Sequence, residues 1–172
     1  MEGTASSLRI GQGFDVHRFS GVPGRPLVLG GVTIPGVAGL AGHSDADVVA
    51  HALADALLGA VGLGDLGRHF PDTDPAWAGA DSLDLLAHVG QLVESQGMRV
   101  VNADCTVICE RPRLADYSAE MARRLGAVVT APVSVKATSA EGLGTLGRVE
   151  GIACLTVVLV AGTGPVGLGG PS

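Results

Sequence analysis

The apolar and polar positions fall into short runs with distinct periods. "RIGQGFDVHRF" carries Ile10, Phe14 and Val16 as apolar members and predicts a strand over 9–18. "PLVLGGVTIP" is two short apolar runs around Gly30–Gly31, a hairpin signal. "GLAGHSDADVVAHALADALLGAVGLGD" has an Ala/Leu-rich middle that predicts a helix. Ser44 with Asp47 three positions on resembles a capping box at its start, and Gly62 and Gly64 are stops at its end. The polar, Gly/Pro-rich "GDLGRHFPDTDPAWAGA" predicts a loop, followed by a second helix over about 81–96 that Gly97 closes. "MRVVNADCTVICE" predicts a strand and "RPRLADYSAEMARRLG" a third helix, with Arg123 and Arg124 favourably placed near its C-terminal end. "PVSVKAT" is a strand, "SAEGLGTLGR" a loop and "EGIACLTVVLVA" the last strand. The tail over 162–172, "GTGPVGLGGPS", is expected to be disordered. The order β, hairpin, α, α, β, α, β, β implies an α+β fold: one domain over 1–161, ordered from about residue 9, with a mixed sheet and helices on one face.

Composition narrows the function. Of the 172 residues 47% are apolar and 16% charged, enough for a sizeable core and too apolar for wholesale disorder. A net charge of −6 argues against a general nucleic-acid binder, whereas a small anionic substrate needs only local positive charge. Cys105 and Cys109, sharing a strand, would have α-carbons about 13 Å apart, too far for a disulfide or a shared metal. Three cysteines and no visible signal peptide imply free thiols in a reducing cytoplasm. No apolar run reaches transmembrane length, so no membrane partner is expected.

The chemistry begins with Asp15 and His17. Residues i and i+2 of a strand point to one face, so carboxylate and imidazole aim at one spot. Together they form an O/N pair that zinc accepts, or an ion pair at a strand end. The first helix offers Asp47, His51 and Asp55 at spacings of four, a polar stripe on an otherwise apolar helix. That stripe reads either as a solvated face or as a metal ligand, His51, held by an acid behind it. Asp15, His17 and His51 would make three ligands with a fourth position open, the catalytic zinc arrangement.

"GHSDADVVAHALADALLGAVGLGDLGRHFPDTDP", with "GQGFDVHRF", "VKATSAEGLG" and "GRVEGIA", resembles the 2-C-methyl-D-erythritol 2,4-cyclodiphosphate synthases over residues 9–161. The resemblance implies an enzyme of the non-mevalonate isoprenoid pathway, a CMP-forming phosphorus–oxygen lyase. Its substrate would be 4-diphosphocytidyl-2-C-methyl-D-erythritol 2-phosphate, cyclised by attack of the 2-phosphate on its own β-phosphorus. It further implies zinc, or another divalent transition metal, on Asp15, His17 and His51, and a second metal, Mg²⁺ or Mn²⁺, helped by Glu141. His43, Asp65, Thr138 and Glu141 would be catalytic. Asp15, His17, His43 and Ser44 would meet the substrate phosphates, and Asp65, Leu66 and Gly67 the methylerythritol hydroxyls. Phe70, Pro71, Asp72, Thr73 and Asp74 match a neighbouring substrate loop. Cys109, Arg113, Leu114 and Ala115 match the segment that holds cytosine, and Thr138, Ser139, Ala140 and Glu141 the contacts to diphosphate and ribose. Arg148 matches an arginine of the family pattern. The family assembles as a homotrimer with each site between two subunits. Two positions depart: the family often has Lys at Arg113 and Phe at Thr145, so charge is kept without geometry at the first and an aromatic contact is lost at the second.

Other polar residues have simpler readings. His69 is a substrate contact or a solvated loop residue, and His88 a surface or half-buried helix residue. Asp55 backs a metal ligand or is solvated. Lys136 steers phosphate or reaches solvent past a strand edge. Asp72 and Asp74 suit an ordinary Asx turn as well as a substrate loop. "GLGTLG" lies late and leads into a strand, which excludes a dinucleotide fingerprint. Two competing functions use the same residues: a zinc hydrolase with Asp65 as general base, and a non-catalytic nucleotide-binding oligomer.

Overall fold

A computed structural model describes residues 7–162. Of the expected tail over 162–172, only Gly162 lies within the described residues, and it belongs to the last strand. The strands are β1 (Leu8–Arg18), β2 (Pro26–Leu29), β3 (Val32–Ala38), β4 (Met98–Ile108), β5 (Val133–Thr138) and β6 (Gly151–Gly162). The helices are α1 (Val48–Val61), α2 (Leu66–His69), α3 (Ser82–Ser95), α4 (Ser118–Val129) and α5 (Gly144–Gly147). The main sheet has the order β1-β6-β4-β5, antiparallel except for the parallel pair β4/β5, and β2/β3 form a separate hairpin. The chain is the single α+β domain with a mixed sheet that the sequence implies.

Several boundaries differ from the sequence reading. Ser44 does not start α1: Asp47 is the N-cap and accepts from the amides of Val49 and Ala50. Gly62 ends that helix in the left-handed conformation at φ 75°, so Gly64 has nothing left to stop. The helix expected over 111–126 begins only at Ser118 and runs on to Val129. Pro112 removes a backbone donor and biases the residue before it away from helix. Arg123 and Arg124 are therefore interior, and both bind Glu120 one turn back instead of the helix end. The loop after α1 contains α2 and a 3₁₀ turn at Pro75–Trp77, and the late loop contains α5. Asp65 and Asp74 cap the first two of these pieces.

The strand β1 shows why its sequence is "GQGFDVH". Gly11, Gly13, Asp15 and His17 share the face toward α1, and a Cβ on Gly11 or Gly13 would lie 1.9 Å from the carbonyl oxygen of Ala56 or Ala52. The helix thus rests directly on the strand backbone. Because Ala56 sits over Gly11 and Ala52 over Gly13, the two run antiparallel, and the next position brings His51 over Asp15. Apart from His51, Asp55 and Gly59, α1 is buried, between the sheet and α3. The opposite face of β1 is bare, with Ile10 75% and Phe14 55% exposed. These apolar members of the strand pattern do not enter this chain's core.

Asp47 is fully buried and joins the hairpin to α1. Its carboxylate accepts from Gly30 N at 2.8 Å, Gly31 N at 2.6 Å, Val49 N at 3.0 Å and Ala50 N at 3.1 Å. Burial pushes its carboxyl up, and the backbone donors pull against that. Gly30 and Gly31 have φ of 55° and 73°, the primed two-residue turn in which both amides can converge on one acceptor. Asp47→Ala leaves those buried donors without partner. We expect a loss of about 3 kcal/mol or more, which calorimetry would read as a fall in Tm on the order of 10 °C.

Candidate functional site

Three ligating atoms converge where β1 runs past the first turn of α1. Asp15 Oδ2 lies 2.9 Å from His17 Nε2 and 3.1 Å from His51 Nδ1, and the two imidazole nitrogens are 3.3 Å apart. The other oxygen, Asp15 Oδ1, accepts from Val16 N at 2.8 Å, so the carboxylate offers a single oxygen to the cluster. His17 Nδ1 donates to the carbonyl of Ala41 at 2.7 Å, which leaves Nε2 bare. His51 Nε2 faces the hydroxyls of Ser82 at 2.9 Å and Ser44 at 3.2 Å.

This donor set fits a divalent metal. With the outer ring nitrogens protonated, three lone pairs meet at close range, which is repulsive unless a cation lies among them. For ligand bonds of about 2.0–2.1 Å, tetrahedral geometry puts neighbouring ligands about 3.3 Å apart, close to the observed spacing. Charges respond accordingly. Burial opposes ionisation of Asp15, but His17 and His51, whenever either carries a proton toward it, outweigh that and hold its carboxyl well below the usual range. Burial likewise opposes the charged form of His17, and Asp15 together with the Ala41 carbonyl raises its pKa in spite of that. Among the described residues these three are the one group of His, Cys, Asp and Glu side chains placed to share a metal ion.

A cavity of about 550 Å³ opens beside the cluster. Asp15, His17, His43, Ser44, His51, Leu66, Gly67, Phe70, Pro71 and Asp72 line it, as does Asp55. Asp55 does not touch His51, however. It accepts from Leu66 N at 2.7 Å and thereby ties α2 to α1. Burial, and the negative charge of Asp15 after it, push the Asp55 carboxyl up against that bond. Asp65 is turned to its own helix, accepting from Arg68 N at 2.9 Å, and Thr73 is exposed outside the cavity. Asp74 caps the 3₁₀ turn, and its carbonyl lies 3.4 Å from His43 Nε2. His69 bonds the Leu63 carbonyl at 3.0 Å, and His88 packs edge-on against Phe70, so both are structural.

The remaining expected residues gather elsewhere. Cys109 N donates to the Thr138 carbonyl at 3.0 Å, and Glu110 accepts from Ala140 N at 2.9 Å and Gly142 N at 3.0 Å. These bonds join the 109–115 segment, containing Arg113 and Ala115, to the 138–142 loop; Leu114 itself is buried. Ser139 bonds Glu141 in that loop, whereas Arg148 bonds Glu150 just before β6, where the Glu150 carbonyl accepts from Phe19 N beside the end of β1. Lys136 is paired with Asp104 across β4/β5, so it is not free to steer phosphate. Both groups sit at the same end of the sheet, since Arg18 pairs Gly151, Ala153 pairs Ile108 and Ile108 pairs Thr138. The triad lies at the β1 edge; the 138–142 loop leaves β5 at the opposite edge, three strand spacings or about 14 Å away, and the 109–115 segment leaves β4, one strand nearer.

Sequence reasoning passed over three residues that the geometry ties to the site. Arg25 donates to the carbonyls of Gly42 and Ser44 and so holds the loop that carries His43. Ser82 and Asp45 stand behind His51. A serine in a first helical turn and an acid in "HSDAD" look like ordinary cap residues, and no spacing rule connects positions 37 apart.

Residues 8–161 match the model of the YgbB family. A 2-C-methyl-D-erythritol 2,4-cyclodiphosphate synthase of Symbiobacterium thermophilum is 60% identical over 158 residues, 90% of this chain and 99% of the relative. The IspF of Plasmodium falciparum, solved as a CDP complex, superposes with a TM-score of 0.79 at 28% identity, covering 92% of this chain and 98% of that one. The bifunctional IspDF of Campylobacter jejuni superposes with a TM-score of 0.87 at 40% identity; 92% of this chain matches 43% of that longer one.

Proposed function

The chain belongs to the YgbB family, and from that membership we infer that it converts 4-diphosphocytidyl-2-C-methyl-D-erythritol 2-phosphate to the 2,4-cyclodiphosphate and CMP. This is a step of the non-mevalonate isoprenoid pathway. The observation that carries the reading is the convergence of Asp15 Oδ2, His17 Nε2 and His51 Nδ1 at the edge of a cavity of substrate size. In the reaction an oxygen of the 2-phosphate forms a bond to the β-phosphorus. The bond from that phosphorus to the α-phosphate oxygen breaks, and its electron pair leaves with CMP, which makes the enzyme a phosphorus–oxygen lyase.

Such a transfer needs positioning and charge neutralisation more than proton traffic. Asp15, His17 and His51 would hold zinc or a similar divalent ion, which when bound neutralises phosphate charge and polarises the attacked phosphorus. His43 lies on the cavity rim to meet a phosphate, held there by Arg25 on the neighbouring carbonyls. Leu66 and Gly67, fixed by Asp55, form the wall for the methylerythritol part. Cys109, Arg113, Leu114 and Ala115 would hold cytosine through the backbone. Thr138, Ser139, Ala140 and Glu141 would take the diphosphate, with Glu141 on Mg²⁺ or Mn²⁺; Arg148, paired with Glu150 before β6, lies instead beside β1. Asp65 would meet the methylerythritol hydroxyls only by leaving its cap on α2. As a general base for a hydrolase it is poorly placed, because its carboxylate caps α2 outside the cavity.

Two halves about 14 Å apart in one chain support an assembly in which the triad of one subunit meets the 109–115 and 138–141 segments of the next. The bare sheet face supplies the surface for it. Leu8, Ile10, Phe14 and Val16 of β1 and Val157 of β6 form an exposed apolar patch of the kind that marks an interface. A closed ring, the homotrimer, would complete every site. Phe14→Glu is expected to yield monomers in light scattering and to lose activity while keeping the secondary structure, and an active monomer would overturn the shared site. The three buried free thiols suit a reducing cytoplasm, where we place the enzyme. The direct test of the reaction is ³¹P NMR of the purified protein with the cytidine substrate and Mg²⁺. Cyclic diphosphate with CMP is the expected product, and linear phosphates would point to hydrolysis instead.

A further inference from the structure

We propose that Ser82 and Asp45 form a relay that fixes His51 in the tautomer with the proton on Nε2, so that Nδ1 is the nitrogen offered to the metal. The inference rests on the triad being a metal site. Ser82 opens α3, is 1% exposed, and places Oγ 2.9 Å from His51 Nε2. The same hydroxyl makes a short bond to Asp45 Oδ1, and Ser82 N donates to Asp45 Oδ2 at 3.3 Å. Asp45 is itself held: its N–H donates to the Ala80 carbonyl at 3.1 Å, and its Oδ1 accepts from Asp47 N at 3.2 Å.

Proton counting gives the direction. A carboxylate only accepts, and a serine hydroxyl has a single proton to give. Ser82 gives that proton to Asp45, so toward His51 it can only accept. The bond must then run from His51 Nε2–H to Ser82 Oγ, which leaves Nδ1 with its lone pair among Asp15 and His17. Ser44 Oγ, which accepts from Ala46 N at 3.1 Å, lies 3.2 Å from His51 Nε2 and 3.3 Å from Ser82 Oγ; with the His51 proton on Nε2 its own proton goes to Ser82. The two histidines therefore use opposite nitrogens. His17 is set by a main-chain carbonyl that no side-chain change removes, whereas His51 is set by two side chains. Outer partners of this type orient a ligand and raise its basicity.

The test uses the full-length metal-free protein with Zn²⁺ and a competing chromophoric chelator. Ser82→Ala should weaken zinc binding about 10–100-fold, and Ser82→Thr, which keeps the hydroxyl, should restore most of it. In ¹⁵N-histidine-labelled metal-free protein, long-range ¹H–¹⁵N correlation should show His51 protonated on Nε2. Asp45→Asn can donate to the serine, so the serine can turn its proton to His51; it should shift His51 toward the Nδ1–H form with the fold intact. A native tautomer in both Ser82→Ala and Asp45→Asn overturns the relay, as does unchanged zinc affinity in Ser82→Ala. A native protein that binds no zinc would instead remove the metal reading, and the tautomer spectra would still decide the relay. If Ser82→Ala does not fold, the Asp45→Asn spectrum decides alone.

Discussion

In a His51→Ala variant the cyclic diphosphate disappears from the ³¹P spectrum and the substrate resonances persist. His51 supplies one of three ligating atoms that lie 2.9 to 3.3 Å from one another. Without it Asp15 and His17 remain as a pair at a strand end, which is an ion pair and no longer a site with three protein ligands. Zinc affinity should fall by more than the roughly 100-fold that losing an outer partner costs. The rate constant kcat/KM should fall at least about 1000-fold, or about 4 kcal/mol of transition-state stabilisation. His51 is only partly buried at the first turn of α1, so Tm should move by no more than a few degrees. Persistence of product at the native rate would remove the ligand assignment and leave the family intact.

Gly13→Ala is the second large effect, and it acts on fold and site together. A Cβ there would sit 1.9 Å from the Ala52 carbonyl oxygen and 2.7 Å from Ala56 N, both backbone atoms of a buried helix. No rotamer change relieves that contact, so α1 must lift from β1. Overpacking of a tight core costs about 1–3 kcal/mol and occasionally more, and a clash with the main chain belongs at the upper end. The Tm should fall on the order of 10 °C. Because His51 rides on α1 and Asp15 and His17 ride on β1, zinc affinity should fall with it. Gly21→Ala is the control: nothing lies within 4 Å of a Cβ at that position, and neither Tm nor zinc binding should change. A Gly13→Ala protein with native stability and native zinc affinity would show that the helix does not need this close approach.

The amino-acid sequence by itself determined the six strands and the three longer helices, and offered Asp15, His17 and His51 as a metal set beside a plainer reading. Alternation placed Asp15 and His17 on one strand face, the period of the first helix put His51 on a polar stripe with Asp47 and Asp55, and paired glycines marked the hairpin turn. Those signals are local, because strand and helix periods are properties of neighbouring residues. Resemblance in four stretches then supplied the reaction. Tertiary structure decided everything that depends on contact between distant segments. Asp47 and Asp55 looked like members of the His51 stripe, yet Asp47 turned to the hairpin amides and Asp55 to Leu66, since backbone donors from elsewhere reached them first. Ser82 acquired its place behind His51 only when α3 packed on α1. Gly11 and Gly13 carry no signal in the strand pattern, and packing made them the seat of a helix. The even-numbered apolar residues of β1 pointed away from this chain's own core, for a one-chain pattern shows that a face is apolar without showing what covers it.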